Sequence, residues 1–505
     1  MSMSMSASTK QAEAEAEAGR KRGGSAPGPV PAVYALGSNG SGQLGIGHTE
    51  DTAWLQECRF QSRCRAGGVE GVKDGEDKED DDDDDDGDRA REAPLTMAPE
   101  YVDVKKIVAG GNHTLLLTKD GQVFSAGKFG CEASEESTTV FVQRHFDFRT
   151  NDSHVRAHFF TPSKPEGSPL SDPNHLQALT TSGSVQTLSG RITDIAATWD
   201  ASFVVVDHKV VFVCGTGSKG ELGLGEGVER AETITKVFDV AGFEFDHDTT
   251  DGSSRSGDGN GNGNDKHAGV RIRIRAIAAC MAHVVVLLSN GHVFGWGNCR
   301  KGQLGERVKN RKVLWTPTRI DHDLDAAIKV SRDSAGSGWP AWTPERVVVG
   351  REYTVFLKTG ETPVVWGDTR FIDGESELLK RPLEDGDRVV SAWGSIHVYS
   401  PRRGSVHSAG RNHRGQLAPS GLPAIQDLAA GSEHCIALTT DNQVIAWGWG
   451  EHGNCGGELD EKGNVAGRWN VIETPRLADE SLSLTVKGVS AGCATSFVVC
   501  GIKGR

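Results

Sequence analysis

Short apolar runs separated by glycine-rich turns recur along most of this chain, and residues 425–456 hold the clearest copy. There, an apolar run from Ile425 ends at a small-residue corner, His434 opens a second run, and residues 444–447 form a third run before a glycine-dense loop. The Asp-Asn pair at residues 441–442 tolerates the positive φ angles of a tight hairpin turn. The unit predicts three short β-strands, which can bury their apolar faces only against neighbours of the same kind.

The same unit recurs along the chain, which is the strongest signal in the sequence. Its copies begin at Ile107, Ile195, Ile277, Val347, Ser391, Ile425 and Val489. The last copy lacks a third run, whereas residues 33–45 supply a third run and a glycine loop without the first two. Six complete units and two halves predict an all-β, seven-bladed β-propeller. Pairing of the N- and C-terminal strands would close it and leave no open sheet edge.

Two motifs accompany the repeat: A-G-x-x-H at the corner and W-G-x-N-x-x-G-Q-L-G in the loop after the third run. The loop motif is carried by residues 37–45, 295–305 and 410–417. Together these motifs resemble the RCC1 repeat family, and the resemblance covers most of residues 33–502. Within the family, the opening at residues 33–40 and the Trp-Gly-Trp-Gly segment at residues 447–456 resemble the fungal α-tubulin suppressor branch.

One propeller is predicted over residues 32–502 of the 505-residue chain, after a disordered, low-complexity tail over residues 1–31. A basic group at residues 20–22 leaves a localisation signal as the alternative to a merely solvated tail. Long disordered insertions are predicted where Gly, Asp, Ser and Pro replace the periodic pattern, at about residues 63–99, 131–190, 226–270 and 321–342.

Composition narrows the class of protein. The net charge of −14 argues against a general nucleic-acid binder, which would carry a basic face. The sequence shows no apolar segment typical of a secretory signal or long enough to span a bilayer. Four cysteines lie in apolar runs and are expected to be buried, reduced packing residues: Cys214, Cys280, Cys435 and Cys500. We therefore expect an intracellular protein without direct contacts to nucleic acid or membrane.

No residue pattern predicts catalysis, a cofactor or a metal site. Residues 215–220 match the G-x-G-x-x-G fingerprint of dinucleotide binding, but no helix start follows them, so a blade loop is the preferred interpretation. The recurrent histidines would lie one per blade, too far apart to share an ion. Each is expected to bond a backbone group of its own blade: His113, His283, His397 and His434.

The connections between the first and second strands are predicted to converge on one face around a central channel, which makes them the natural binding site. Two connections replace small residues with types common in interface hot spots, namely Trp199, and Arg351 with Tyr353 beside it. Contact with a partner protein is one explanation, and drift with local repacking is the other. The predicted contact set is Asn112, Trp199, Asp200, Arg351, Glu352, Tyr353 and Glu433.

The resemblance implies a non-enzymatic interaction scaffold, monomeric or in a heterodimer. The α-tubulin suppressor branch implies a small CSL-type zinc- or iron-binding partner of diphthamide biosynthesis on elongation factor 2. It also implies a link to Elongator-dependent modification of the tRNA wobble uridine, and a cytoplasmic and nuclear location.

The founding member of the family implies an alternative, guanine-nucleotide exchange on a small Ran-type GTPase. Only Asp200 and Glu433 give acidic residues before the repeat histidine position, so the scaffold is preferred. An adaptor role, as in larger multidomain relatives, ranks last because the sequence shows no HECT or FYVE segment.

Overall fold

The computed structural model describes residues 32–61, 102–130, 137–144, 147–151, 154–158, 186–188, 190–242, 272–322, 324, 342–370, 372, 377–476 and 481–504. These residues are almost entirely strands and turns, and no helix among them is long and apolar enough to cross a bilayer. The predicted tail over residues 1–31 and the predicted insertion over residues 63–99 lie outside the described residues.

The strands in this part of the chain are β1 (Ala32–Gly37), β2 (Thr52–Glu57), β3 (Phe60–Gln61), β4 (Val104–Ala109), β5 (His113–Thr118), β6 (Val123–Gly127), β7 (Thr138–Arg144), β8 (Asp147–Asn151), β9 (His154–His158), β10 (Gln186–Leu188), β11 (Ile192–Ala197), β12 (Ala201–Val206), β13 (Val210–Thr216), β14 (Arg230–Asp239), β15 (Ile274–Cys280), β16 (His283–Leu288), β17 (Val293–Asn298), β18 (Val313–Arg319), β19 (Arg346–Val349), β20 (Tyr353–Leu357), β21 (Val364–Gly367), β22 (Arg388–Ser391), β23 (Ser395–Ser400), β24 (Ser405–Gly410), β25 (Ile425–Ala430), β26 (His434–Thr439), β27 (Val444–Trp449), β28 (Asn464–Ile472), β29 (Leu482–Ala491) and β30 (Thr495–Gly504). A short helix, α1, spans Glu306–Lys309, and two 3-10 turns span Val240–Gly242 and Glu377–Leu379.

These strands form seven sheets, which are the blades of a β-propeller. Blade 1 is β4–β7 with β3 at its outer edge, and blade 2 is β11–β14 extended outward by β9, β8 and β10. Blades 3, 4, 5 and 6 are β15–β18, β19–β21, β22–β24 and β25–β28. Blade 7 combines β29 and β30 with β1 and β2. The first strand of each blade contacts the first strand of the next all the way round, so the ring is closed.

Blade 7 confirms the predicted closure. β1 and β30 are antiparallel, with Val33 opposite Val499 and Ala35 opposite Phe497. Val33, Ala35 and Phe497 are buried in one cluster with side chains of blade 1 such as Leu116. The two ends of the ring are therefore joined by backbone pairing as well as by apolar packing.

The second strand of each blade is buried on both faces, because a blade packs between two neighbours. β5, β16 and β26 are buried at every residue. Large rings fill the space between blades, as where Phe203 of blade 2 lies 6.2 Å, ring to ring, from Trp296 of blade 3. This two-sided burial explains why the second strands are continuous apolar runs in the sequence.

Two of the predicted insertions contain blade strands. β7 lies within the range 131–190 and β14 within the range 226–270, and both are the fourth strands of their blades. Fourth strands pack mainly on one side, so their apolar pattern is weaker than that of the inner strands, and the insertion bounds in the sequence were too wide. Trp342, at the end of the range 321–342, is buried in the apolar cluster that joins blades 2, 3 and 4.

The cysteines divide into two groups. Cys280, Cys435 and Cys500 are free thiols, and burial raises the pKa of Cys280 and of Cys500 to about 12. Cys214 is in a disulfide, so the expectation that it is reduced is wrong. An apolar strand environment is compatible with either state, and the spacing of the cysteines gave no pairing.

Candidate functional site

The connections between first and second strands share one face of the propeller with the loops that follow the third strands, and we call this the tip face. The glycine that ends each third strand brings the two together. Gly127 has a φ of 86°, and a Cβ on it would lie 2.3 Å from the carbonyl oxygen of Asn112 in the connection. Gly297 occupies the same position against Ala282. Only glycine permits this backbone angle and this close approach.

Backbone hydrogen bonds link neighbouring connections around the channel. The Gly111 N–H donates to the Trp199 carbonyl over 2.8 Å, and the Trp199 N–H donates to the Met281 carbonyl over 3.1 Å. Farther round the ring, the Trp393 N–H donates to the Ser432 carbonyl over 2.9 Å. The positions of the side chains at the connections are therefore set by backbone contacts between blades.

Two tryptophans from different sides of the ring meet at the channel. The ring centroids of Trp199, in blade 2, and Trp393, in blade 5, lie 5.9 Å apart. Both belong to the wall of a cavity of about 390 Å³, to which the first strands of all seven blades contribute. Trp199 also lies against blade 1, where a Cβ on Gly111 would come within 2.5 Å of its ring. The tryptophan pair therefore forms the wall of the channel at the tip face.

Arg351 joins this aromatic pair. Its guanidinium carbon lies 5.3 Å from the centroid of the Trp393 ring, a cation–π contact, and its side chain is exposed. Arg351, Glu352 and Trp393 line a second cavity of about 200 Å³ together with Asp368 and Arg411. Three residues of the predicted contact set therefore lie around Trp393, namely Trp199, Arg351 and Glu352.

The remaining polar residues of the predicted set lie on other parts of the tip face. Asn112 hydrogen-bonds Asp200, whose pKa is raised by desolvation, although that bond and the charge of Lys128 oppose the rise. Glu433 lies 3.3 Å from the His413 Nε2 and 3.7 Å from the Arg414 Nε in the loop of blade 5. The set is therefore spread round the channel and does not converge on one point.

Tyr353 is the exception, and its prediction as a surface contact is wrong. The side chain is fully buried, and its hydroxyl lies 2.7 Å from the Ala392 carbonyl oxygen and 2.8 Å from that of Ser395 in blade 5. Its ring lies over Gly350, where a Cβ would come within 2.0 Å of the ring. Tyr353 occupies the position of the repeat histidine, so it packs between blades and not at the surface.

Sequence reasoning missed Trp393. In the structure Ser395 opens the second strand of blade 5 and lies opposite Gly410, just as His113 lies opposite Gly127. His397, aligned with the other repeat histidines in the sequence, is thus two residues too far along. The connection of blade 5 is residues 392–394, and the register of Ser395 against the glycine that ends the third strand was the signal that could have found Trp393.

Two of the four predicted histidines link their blade to the next, which corrects the prediction that each bonds a backbone group of its own blade. His397 instead contacts the hydroxyls of Ser395 and Ser408 within blade 5, and the His113 Nε2 is buried without a partner among the described residues. The Nε2 atom of His283, in blade 3, lies 3.3 Å from the Thr354 hydroxyl of blade 4. The Nε2 atom of His434, in blade 6, lies 3.0 Å from the Ser496 hydroxyl of blade 7. The rings lie over the corner glycines, as where a Cβ on Gly431 would come within 2.2 Å of the His434 ring. This packing explains why glycine stands three residues before the histidine in A-G-x-x-H.

The hydrogen-bond network assigns the tautomer of these histidines. The Thr354 hydroxyl donates to the Gln303 carbonyl over 2.8 Å and the Ser496 hydroxyl donates to the Asn454 carbonyl over 2.9 Å. The single proton of each hydroxyl is used in that bond, so the hydroxyl oxygen must accept a hydrogen bond from the imidazole Nε2–H. The Nδ1 atoms of His283 and His434 are buried without a partner in the described structure, and burial lowers the pKa of each histidine to about 4.

The described residues do not bring three or more His, Cys, Asp or Glu side chains together in an arrangement that could hold a metal ion. The arrangement on the tip face is instead one of aromatic, arginine and carboxylate side chains around a channel. Chemically, it can make apolar contacts and charge-assisted hydrogen bonds with another molecule.

A family model described as the regulator of chromosome condensation (RCC1) repeat matches residues 104–131 and 425–454. These segments run from the first strand into the loop after the third strand of blades 1 and 6. The chain contains RCC1 repeats.

Two relatives align along most of the chain. An RCC1 repeat-containing protein of Schizosaccharomyces pombe is 24% identical over 479 residues, which cover 92% of this chain and 98% of the relative. The secretion-regulating guanine nucleotide exchange factor of Bos taurus is 21% identical over 84% of this chain and 75% of the relative. Among solved structures, Prp20p from Saccharomyces cerevisiae has a TM-score of 0.54 at 16% identity, over 94% of this chain and 92% of that chain. The structural likeness supports the propeller fold.

The structure explains the Q in the RCC1 loop motif. The Gln43, Gln303 and Gln416 side chains each accept a hydrogen bond, over 2.8, 2.9 and 2.8 Å, from the backbone N–H two residues earlier. The motif tryptophan fixes the same loops from the next blade, since the Trp447 indole N–H donates to the Gln416 carbonyl over 3.2 Å. In blade 2, Glu221 takes the place of the glutamine, and its carbonyl accepts from Trp296 over 2.9 Å. The shape that these loops share is therefore held by the glutamine or glutamate and by the tryptophan of the next blade.

Proposed function

We propose that this chain is a non-enzymatic interaction scaffold that binds a partner protein with its tip face. The observation that carries the proposal is the Trp199–Trp393 pair at the channel, with Arg351 on the Trp393 ring. Tryptophan and arginine are the residue types that most often dominate binding energy at interfaces. The equivalent position in blade 1 is Gly111, so the fold itself does not require an aromatic ring there.

The proposed partner follows from the resemblance of residues 33–40 and 447–456 to the α-tubulin suppressor branch. It is a small CSL-type zinc- or iron-binding protein of diphthamide biosynthesis on elongation factor 2, with a further link to Elongator-dependent tRNA wobble-uridine modification. The proposed location is the cytoplasm, with a share in the nucleus, and the proposed state is a monomer or a heterodimer.

Guanine-nucleotide exchange on a small Ran-type GTPase is the second candidate function. It is favoured by the relatives from Bos taurus and Mus musculus, both of them named secretion-regulating guanine nucleotide exchange factors, which align with most of this chain. The Asn112–Asp200 pair and Glu433 would supply the polar contacts on the tip face.

A binding assay with the purified full chain separates the two candidates. Calorimetry measures affinity for the CSL-type protein, and release of a fluorescent guanine nucleotide from a Ran-type GTPase measures exchange. For the scaffold we expect Trp199→Ala to weaken CSL-type binding by at least about tenfold, as for the loss of an interface hot spot. For exchange, Asp200→Ala would slow nucleotide release.

Trp54→Ala is the matched control, because Trp54 is 70% exposed on the outer strand β2, away from the channel. It should leave both measurements unchanged. Equal losses in Trp54→Ala and Trp199→Ala, or no binding of either candidate by the wild-type chain, would contradict the proposal.

A further inference from the structure

The loops after the third strands of blades 3, 5, 6 and 7 share a turn in which the loop glycine N–H donates to the carbonyl three residues earlier, but the loops differ in charge. The two residues before the loop glycine are Arg300-Lys301 in blade 3, His413-Arg414 in blade 5, Glu451-His452 in blade 6 and Gly40-Ser41 in blade 7. The glutamine contact described above is the same in blade 7, with Ser41, as in blade 3, with Lys301. The fold therefore does not demand cations at these positions.

The cations of blades 3, 4 and 5 lie on neighbouring connections and loops of the tip face. Arg351 and Arg411 line the same 200 Å³ cavity beside Trp393 and Asp368. The blade 3 loop borders this cavity, because a Cβ on Gly367, the residue before Asp368, would lie 3.2 Å from the Cα of Gln303. We call Arg300, Lys301, Arg351 and Arg411 the basic strip.

None of these four cations has a hydrogen bond or an ion pair from its side chain within the part of the chain that the structure describes. Their neighbours do: Arg370 pairs with Asp368 over 2.5 Å, and Arg414 lies 3.7 Å from Glu433. The chain as a whole carries a net charge of −14, so carboxylates are not scarce. Four unpaired cations on neighbouring loops of an acidic protein are thus available to an outside anion.

We propose that the basic strip binds an acidic segment of a partner protein, with carboxylates at Arg351 and Arg411 and an apolar side chain against Trp393. The inference rests on the proposed function, since both use the tip face, but it adds the chemistry of the partner. Arginine binds carboxylates through paired, charge-assisted hydrogen bonds. Glu352 and Asp368 lie among the cations and would repel a continuous phosphate backbone, which favours a protein over a nucleic acid.

The probe for this proposal is a fluorescein-labelled oligoglutamate peptide with one phenylalanine, and its binding to the full chain is followed by fluorescence anisotropy at low and at physiological salt. The test variant is the double charge reversal R351E/R411E. The matched control is K128E/K219E, which makes the same change in net charge on loops of the same face in blades 1 and 2. Thermal unfolding of each variant verifies that it is folded.

We expect R351E/R411E to lower the affinity for the peptide by at least about tenfold, and K128E/K219E by no more than about twofold. Equal losses in the two variants, tighter binding of an oligo-dT strand of equal charge, or no peptide binding by the wild-type chain would overturn the proposal. Concentration-dependent self-association abolished by R351E/R411E would do so as well, because a second copy would then be the occupant.

Trp199→Ala distinguishes this inference from the proposed function. Trp199 does not belong to the basic strip, so the variant should still bind the peptide. If neither candidate partner binds but R351E/R411E still weakens peptide binding, the proposed function is contradicted and the proposal for the basic strip is supported. If the partner binds and R351E/R411E leaves the affinity for the peptide unchanged, only the proposal for the basic strip is contradicted.

Discussion

Blades 6 and 4 make the same attachment to a neighbouring blade with different side chains. In blade 6, His434 reaches the hydroxyl of Ser496 in blade 7. In blade 4, Tyr353 stands at the equivalent position and reaches the backbone carbonyls of Ala392 and Ser395 in blade 5. The comparison shows that the repeat position is a joint between blades, where a ring with a donor at its far edge is sufficient.

The two joints are expected to lose stability for different reasons, one on protonation and the other on truncation of the side chain. The imidazole of His434 donates at Nε2 and keeps Nδ1 unprotonated and buried, so an added proton has no acceptor in the described structure. The phenol of Tyr353 has no basic nitrogen, and burial raises its pKa well above the usual range. Blade 6 should therefore be sensitive to acid, and blade 4 to loss of volume.

The largest effect is expected from Tyr353→Ala. It removes a fully buried ring from between blades 4 and 5 and should lower the free energy of unfolding by about 3–5 kcal/mol. Tyr353→Phe keeps the ring and loses only the hydroxyl contacts, so about 1–2 kcal/mol is expected. Urea denaturation measures both. A cost of Tyr353→Phe equal to that of Tyr353→Ala would mean that the hydrogen bonds, and not the ring, hold this joint.

Acid should act on the blade 6 joint. The pKa of His434 is about 4 in the folded chain, below the usual value of 6.5, because the buried ring is desolvated. The unfolded chain therefore takes up the proton first as the pH falls, so the stability from neutral His434 is complete above about pH 6.5 and is lost toward pH 4. Between pH 7.5 and 5 the loss should be about 2 kcal/mol for this histidine.

The measurement is the urea midpoint of His434→Gln and of wild type across this pH range. His434→Gln should show a flatter dependence on pH, while His407→Gln, a change of an exposed histidine, should show the wild-type dependence. Identical slopes in all three proteins would show that His434 does not titrate in this window.

An effect similar in size to that of acid is expected from Ser496→Ala. It leaves the His434 Nε2–H without its acceptor and the Asn454 carbonyl without its donor, at a cost of about 1–3 kcal/mol. Thr354→Val makes the corresponding change at the joint between blades 3 and 4. Similar losses in the two variants, measured by thermal unfolding, would support one design for both joints. A loss in only one of them would limit that design to a single pair of blades.

The architecture followed from the sequence because it rests on repetition. Each blade repeats the same burial problem, so the periodic runs and the corner at Gly431 recur, and the unmatched halves near Val33 and Val489 predicted the closing pair. Trp199 and Arg351 stood out for the same reason, since each departs from a pattern that its sister blades define. The repeats could be aligned with one another, so departures from the shared pattern were visible in a single sequence.

Two features were not predicted, because in blades 4 and 5 another residue takes the place of the motif histidine while the strand pairing stays the same. Tyr353 looked like a surface residue because it is not histidine, although it fills the histidine position. His397 looked like the repeat histidine of blade 5, which shifted the register by two residues and concealed Trp393. The pairing of Ser395 with Gly410 fixes this register, and strand pairing is a three-dimensional fact that residue types alone do not carry.

The pairing of β1 with β30 also governs when the protein can reach its final form. During synthesis, the strand at Ala32–Gly37 can pair early with Thr52–Glu57, but its other edge has no partner until the segment Thr495–Gly504 follows it. Through most of translation the nascent chain is thus an open arc with two exposed strand edges, a form that invites aggregation. The ring can therefore close only after the last strand of the chain has been synthesised.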